Sequence, residues 1–239
     1  MIDMDKEFTT TGYKNLIKSF ITAGYSFEPF DGRYSTEAIV YLRHDVDFSV
    51  DYAYDMAVAD HSLGVTATFF FLPNSELYNL YSKQIIDLVN EIIRMGHAVC
   101  LHIDADIINR LDTALNCFKM IYPMANTGVI SYHQPKGIPP NIQLMKGVVD
   151  VYSPQFVTEI EYASDSGGEW KYGYPLCRPS FARKGSFQLL THPLWWMSSG
   201  SDINSAIDCL VDKIHSRTLS ALGQFRFMQE HKSQNTNSN

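Results

Sequence analysis

Short apolar runs rich in β-branched and aromatic residues alternate with helix-like segments along the first half of this chain. This alternation is the feature that most constrains its fold. Runs that are apolar at nearly every position are typical of strands buried on both faces. Strands that alternate with helices favour βα units around a parallel sheet or barrel. The predicted strands are 38–42, 66–72, 97–103, 128–132, 147–152, 156–162 and 187–191.

Apolar residues recur at helical spacing between and after these runs. Ser49 and Ser82 are suited to cap two of the helices at their N-termini, and glycines follow the last apolar residues of both. The predicted helices are 9–23, 49–64, 82–96, 111–122 and 201–227. The core-facing stripe predicted for the last helix consists of Ile207, Leu210, Val211 and Ile214.

The chain shows no repeat and no linker rich in proline or glycine. Its 239 residues, 45% of them hydrophobic, are enough to bury a full core. We therefore predict a single domain over residues 1–232. The polar segment 233–239 is predicted to be a disordered tail.

Charge and hydropathy exclude several classes of partner. The chain carries 19 basic and 26 acidic side chains, and no basic patch suggests that it binds nucleic acid. No stretch approaches the roughly 20 apolar residues of a membrane span. The N-terminus has neither the basic start nor the apolar stretch of a secretory signal, so we expect a cytoplasmic protein with free thiols. Its four cysteines form no CxxC pair that would indicate a zinc ribbon.

Polar side chains with catalytic potential gather where the predicted strands end. In α/β barrels the carboxyl ends of the strands build the active site. One end of the predicted barrel therefore collects carboxylates and imidazoles, which indicates a metal site with acid–base groups beside it. These residues are His44, Asp45, Asp47, His102, Asp104, His133, Asp165 and His192.

Asp45 and Asp47 are two positions apart, so in an extended segment both side chains face the same side. Two crowded carboxylates repel each other, and a divalent cation relieves that repulsion. One of them can bind the metal while the other stays free as a base. The alternative is that the pair caps the next helix, since Ser49 is close.

The histidines allow two interpretations as well. His102 ends an apolar run, where a neutral imidazole could coordinate a metal or pack as a satisfied core residue. His133 has the same ambiguity. Asp104 and Asp106 could cap a following helix. His192 could pack against the tryptophans that follow it.

Several segments, in their order along the chain, resemble motifs of the polysaccharide deacetylase superfamily, the NodB-homology or carbohydrate esterase family 4 group. The resemblance covers residues from about 39 to 196. It implies a distorted (β/α)7 barrel of the polysaccharide deacetylase type, and a divalent metal, often zinc. It also implies removal of acetyl groups from N-acetylated sugars. The resembling segments are 44–47, 67–71, 96–102, 164–170 and 190–192.

The resemblance assigns roles to four residues of this sequence. Asp45 corresponds to the general base and Asp47 to a metal ligand. His102 corresponds to a second metal ligand. His192 corresponds to the general acid that protonates the departing amine.

Two departures from the family pattern leave the third metal ligand open. The family usually has a second histidine four residues after the first, and here that position is Asp106. The usual Arg-and-Pro third motif is absent, and the segment 131–135 stands in its place. We predict His133 as the third ligand, because it ends the next strand at the same mouth. Asp106 and Asp104 are the alternatives.

The aromatic residues near the last motifs are candidates for binding the sugar. Asp165 and Trp170 resemble a variant of the family's Asp/Trp motif, and with Trp195 they are the predicted substrate contacts. A tryptophan ring can stack against a sugar face, although core packing explains such residues equally well.

The sequence thus predicts a metal-dependent N-deacetylase in which water bound to the metal attacks the acetamido group. Its pattern resembles the surface-glycan biosynthesis branch, so the expected substrate is an N-acetylated sugar that is nucleotide-linked, lipid-linked or an oligosaccharide. One alternative is another metal-dependent C–N hydrolase that acts on a non-sugar amide. A second is a non-catalytic glycan-binding relative with a degenerate site, which the missing second histidine supports.

Overall fold

The structure, a computed structural model, describes residues 8–31, 35–137, 147–200, 202–223 and 225, and the predicted tail at 233–239 lies outside these ranges. The strands are β1 (Ser26–Phe27), β2 (Ile39–Val46), β3 (Thr68–Phe71), β4 (Ala98–Ile103), β5 (Val129–Tyr132), β6 (Val149–Asp150), β7 (Glu161–Ser164) and β8 (Phe187–Thr191). The α-helices are α1 (Thr10–Thr22), α2 (Val50–Ser62), α3 (Lys83–Arg94), α4 (Ala105–Ile108), α5 (Leu111–Ile121), α6 (Pro154–Val157), α7 (Pro179–Ala182), α8 (Pro193–Met197) and α9 (Ile203–Leu222).

Seven strands form one sheet in the order β6-β5-β4-β3-β2-β8-β7, and every pairing in it is parallel. The short β1 pairs with the start of β2. This confirms the predicted α/β class and its seven-stranded parallel (β/α) arrangement. Within the described ranges no pairing joins β6 to β7, so the sheet curls without closing there. None of the helices described is long and apolar enough to cross a membrane.

Strand alternation divides the apolar core into two layers. The larger layer lies between the sheet and the helices that cover it. The smaller layer fills the concave side of the sheet. Successive side chains of a strand point to opposite faces. On the concave side, polar residues therefore lie between this apolar layer, here called the floor, and the carboxyl ends of the strands. The floor consists of Phe30, Tyr41, Phe70, Cys100, Val129, Val151, Phe156 and Ile160.

The predicted strand 156–162 is wrong over its first half. Pro154 occupies the first turn of α6, a position that tolerates proline because no N–H is needed there. Phe156 of this helix is fully buried in the concave layer, and β7 begins only at Glu161. A short apolar run is compatible with a short buried helix as well as with a strand, and the pattern alone does not distinguish the two.

The first predicted strand is longer than expected. It was predicted to end at residue 42, and β2 continues to Val46 because β3 pairs with it from Arg43 onward. Asp45 therefore lies within the strand, and Asp47 directly follows it.

The last helix is shorter than predicted and its buried stripe is rotated. Ala206 and Leu210 are buried, whereas Ile207 and Val211 are 42% and 55% exposed. The predicted core positions Ile207 and Val211 are therefore wrong. The helix packs against α8, and Ala206 and Leu210 belong to the same buried cluster as Trp195 of α8, so the neighbouring helix decides which apolar face is covered.

Candidate active site

Three predicted metal ligands meet at the carboxyl ends of β2, β4 and β5. Asp47 Oδ1 lies 3.3 Å from His102 Nε2 and 3.5 Å from His133 Nδ1. One ligand atom from each of the three residues lies within 4.8 Å of the other two. The parallel sheet brings them together, because residues 47, 102 and 133 all stand at the same edge of neighbouring or near-neighbouring strands.

The donor set fits a divalent metal ion. Asp47 Oδ1 is buried and has no hydrogen-bond partner among the residues that the structure describes, which is costly for a carboxylate oxygen unless a cation meets it. Ser131 Oγ lies 2.5 Å from Nδ1 of His102, which turns Nε2 toward Asp47. One carboxylate with two imidazoles is a set that zinc and similar ions accept. These residues could therefore hold such an ion.

Electrostatics keep the carboxylate ready to bind a cation. Burial works against ionisation of Asp47, but the neighbouring imidazoles of His102 and His133 outweigh it and hold the pKa of Asp47 well below the usual range. The neighbouring Asp47 carboxylate raises the pKa of His133, against the effect of burial. The charged form of the carboxylate is the form that a metal requires.

The two alternative third ligands are placed differently. Asp104 caps α4, where Oδ1 accepts from the backbone N–H groups of Asp106 and Ile107. Its Oδ2 accepts from Asn74 Nδ2 at 2.6 Å. Asp106 is exposed on α4. Neither belongs to the Asp47 cluster found among the described residues.

Asp45 is held by a neighbour that the sequence reasoning missed. Arg43 donates from Nε to Asp45 Oδ1 at 2.8 Å and from Nη2 to Oδ2 at 2.7 Å. The guanidinium is fully buried and also donates to Gln188 and Tyr152. Burial disfavours the charged carboxylate, but Arg43 and then His102 outweigh it and lower the pKa of Asp45. Asp45 is therefore ionised. The signal available in the sequence was the i, i+2 spacing of the two residues.

His192 leaves β8 opposite Asp47. Its Nδ1 lies 2.6 Å from Asp165 Oδ1, and its backbone N–H donates to the same carboxylate. Its other nitrogen, Nε2, lies 3.7 Å from Asp47 Oδ2. Burial lowers the pKa of His192, but the Asp165 carboxylate dominates together with the other nearby carboxylates and raises it to about 9. His192 is therefore protonated at neutral pH.

The predicted substrate contacts are largely covered. Asp165 is fully buried, and besides His192 it accepts a 2.6 Å hydrogen bond from Trp196 Nε1. Trp195 is 7% exposed, with its ring 5.7 Å from that of Phe48. Trp170 is half-buried and, with Trp195, borders a cavity of about 520 Å³. Contact of these residues with a substrate stays a prediction.

A second cavity, of about 1040 Å³, lies at the opposite end of the strands. It is lined by residues at the starts of β2, β7 and β8, including Glu161, Arg178 and Lys184. None of the candidate metal ligands or acid–base residues borders it. The chemistry-bearing residues are therefore separate from this cavity.

Comparison with family models finds none that matches the chain, and no curated protein matches it. Among solved structures, the chain is similar to a chitin deacetylase from the fungal pathogen Colletotrichum lindemuthianum. That likeness has 16% identity and a TM-score of 0.40, and it covers 76% of this chain and 83% of the other. A peptidoglycan N-acetylglucosamine deacetylase is similar at 16% identity and a TM-score of 0.35, covering 85% and 91%.

Proposed function

We propose that this chain is a metal-dependent hydrolase that removes the acetyl group from an N-acetylated sugar. One observation carries the proposal. A carboxylate–imidazole–imidazole donor set lies at one end of the sheet between an ionised carboxylate and a protonated histidine. Hydrolysis of an amide requires an activated water, stabilisation of the developing oxyanion and a proton for the departing amine. The motif resemblance supplies the sugar as the substrate class.

Asp47, His102 and His133 would hold the metal, for which zinc is our choice because of the two imidazole donors. A divalent ion there would lower the pKa of water and polarise the acetyl carbonyl. Nδ1–H of His102 would donate to Ser131 Oγ, which leaves the lone pair of Nε2 free for the metal and fixes the orientation of the ring.

Asp45 is the proposed general base. Arg43 keeps it ionised and fixes the plane of its carboxylate through two hydrogen bonds. Each carboxylate oxygen has a further lone pair that these bonds do not use. Asp45 can therefore accept the proton of the attacking water.

His192 is the proposed general acid. Asp165 holds its Nδ1 side, which leaves Nε2 facing Asp47 and the mouth of the site. The raised pKa keeps a proton available for the nitrogen of the departing amine. The environments of Asp45 and His192 push their protonation states apart, as an acid–base pair requires. In this proposal Asp165 orients His192, and the substrate contacts lie elsewhere.

The arrangement favours an enzyme over a degenerate binding protein. The missing second histidine of the family motif supported the latter alternative, but His133 of the next strand faces Asp47 at 3.5 Å. A protein that only binds glycans has no need of an oriented Asp45 or His192. Zinc content is therefore expected in protein purified without chelator.

The test is acetate release by the purified, zinc-loaded chain. The panel contains nucleotide-linked N-acetyl sugars, N-acetylated oligosaccharides and a simple non-sugar N-acetyl amide. We expect acetate from at least one sugar, lost in His192→Gln and retained in Asp106→Asn, whose exposed carboxylate lies outside the ligand set. If acetate is released from the non-sugar amide alone, the substrate is an amide other than an N-acetylated sugar. An absence of bound divalent metal by elemental analysis would contradict the proposal.

A further inference from the structure

A second polar cluster lies behind the active site, on the face of β2 opposite Asp45. His44 precedes Asp45 in the strand, so its side chain points toward the covering helices. Nδ1 of His44 lies 2.7 Å from Thr191 Oγ1 on β8, and Nε2 lies 2.9 Å from Asp60 Oδ2 on α2. Tyr13 of α1 donates to Asp60 Oδ1 at 2.6 Å. These four side chains lie on the helix-facing side of the sheet and are fully buried: Tyr13, His44, Asp60 and Thr191.

This cluster fixes the ring of His44. A carboxylate oxygen accepts hydrogen bonds, so Asp60 Oδ2 accepts from Nε2–H of His44. The other nitrogen meets the hydroxyl of Thr191, and a flipped ring would lose both contacts. Burying a carboxylate is costly, and apolar residues of similar volume often pack as stably. Stability alone is therefore a poor reason for Asp60 at this position.

The cluster joins the two strands that carry the acid and the base. His44 and Thr191 are directly paired in the register of β2 and β8. Asp47 stands three residues after His44, and His192 follows Thr191. The hydrogen bond between the paired side chains therefore ties the two strand ends just before the site residues leave them.

A second connection runs through aromatic rings. The ring of Tyr13 packs against that of Trp196, with centroids 5.7 Å apart. Trp196 donates to Asp165, which holds His192. A change at Asp60 can thus reach His192 through α1 and α8 as well as through β8.

We propose that His44 and Asp60 are positioning residues for the hydrolase site: they hold the ends of β2 and β8 together and so set Asp47 opposite His192. The activity part of this inference rests on the proposed function. The metal-binding part concerns only the placement of Asp47 and does not need a substrate.

The sharpest test is a matched pair at Thr191. Thr191→Val removes the hydroxyl and keeps the shape, whereas Thr191→Ser keeps the hydroxyl. We expect Thr191→Val to lower kcat at least tenfold with KM within twofold, and Thr191→Ser to retain kcat within about threefold. Titration of the apoprotein with Co²⁺ should show at least threefold weaker binding for Thr191→Val only.

Asp60→Asn is the second variant, and His97→Gln is its control. His97 is also a buried imidazole on the helix-facing side, and it packs on Phe69 as His44 does. Among the described residues, its ring nitrogens form hydrogen bonds with backbone groups only, Ala57 O at 3.0 Å and Ala67 N at 3.2 Å. We expect Asp60→Asn to lower both kcat and the affinity for Co²⁺. We expect His97→Gln to lower the unfolding temperature, while its kcat and its affinity for Co²⁺ remain within twofold of wild type.

Equal kcat and equal Co²⁺ affinity in the two Thr191 variants would overturn the inference. It would also be overturned if kcat and Co²⁺ affinity fell in proportion to thermal stability in both Asp60→Asn and His97→Gln. A wild-type chain that binds Co²⁺ but releases acetate from no sugar would defeat the proposed function. The Co²⁺ comparison of the Thr191 variants would still decide the positioning role in that case.

Discussion

At the scale of single residues, the site depends on which partner each charged group meets. Asp45 and Asp47 are close in sequence and similarly buried, yet a guanidinium holds one and two imidazoles face the other. Asp45 is paired with the guanidinium and also lies 3.5 Å from Nε2 of His102, whereas Oδ1 of Asp47 has no hydrogen-bond partner among the described residues. Their different neighbours, and not their spacing, separate a base from a ligand.

Replacing Asp45 by asparagine tests this separation. Asparagine keeps the size of the side chain but cannot accept a proton, and a general base contributes typically 10² to 10⁴ in rate. We expect kcat to fall by about that factor while bound zinc stays near one equivalent. Acetate release and elemental analysis measure the two quantities. Loss of zinc together with activity would show that Asp45 is a ligand instead.

At the scale of elements, the covering helices are set by contacts that sequence periodicity does not contain. The pattern of α9 fits either of two adjacent apolar faces, and its packing on α8 selects the face with Ala206 and Leu210. The remaining apolar residues of the helix, Ile207 and Val211 among them, stay at the surface.

A matched pair on this helix checks the assignment. Leu210 is 6% exposed and Val211 is 55% exposed. We expect Leu210→Ala to lower the free energy of unfolding by about 2–5 kcal/mol, because it leaves a cavity. Val211→Ala should change it by about 0.5 kcal/mol or less. Urea unfolding measures both, and a larger effect at Val211 would place the buried face on the other side.

The start of β4 carries a histidine whose burial makes stability depend on pH. Burial lowers the pKa of His97 from its usual 6.5, so the folded chain keeps the ring neutral while the unfolded chain takes up a proton as the pH falls. This stability is complete well above pH 6.5 and is lost as the pH falls toward the folded value. Wild type should therefore lose more stability than His97→Gln between pH 8 and pH 5, by at most about 2 kcal/mol. Urea unfolding at both pH values checks this, and an unchanged difference would contradict it.

The contrast between what the sequence predicted and what it missed follows from distance along the chain. Period and composition predicted the parallel α/β sheet, because each strand and helix is a local pattern. The strand-end rule placed His102 and His133 at one edge without knowledge of their contacts. Arg43 was missed because its partners Gln188 and Tyr152 are 145 and 109 residues away. His44 was grouped with the site, and strand alternation instead turns it to the opposite face.

At the scale of the whole molecule, a metal held by Asp47, His102 and His133 would join β2, β4 and β5 across the sheet. A ligand that binds only the folded state stabilises it by about 2.7 kcal/mol at a concentration one hundred times its Kd. We expect zinc to raise the unfolding temperature of the apoprotein, and chelator to reverse the rise. Asp47→Ala should abolish the shift, while Asp106→Ala keeps it. A shift that persists in Asp47→Ala would place the metal elsewhere.

The position of β2 in the middle of the sheet has a consequence for synthesis. Its neighbours β3 and β8 come from opposite parts of the chain: Arg43, for example, pairs with residue 68 on one side and with residue 190 on the other. A ribosome would release all three candidate metal donors well before β8 emerges. The centre of the sheet must wait for that last strand, and such distant pairings slow folding. The proposed acid, His192, and the contact between His44 and Thr191 would thus join the site only after the three candidate metal donors have been synthesised.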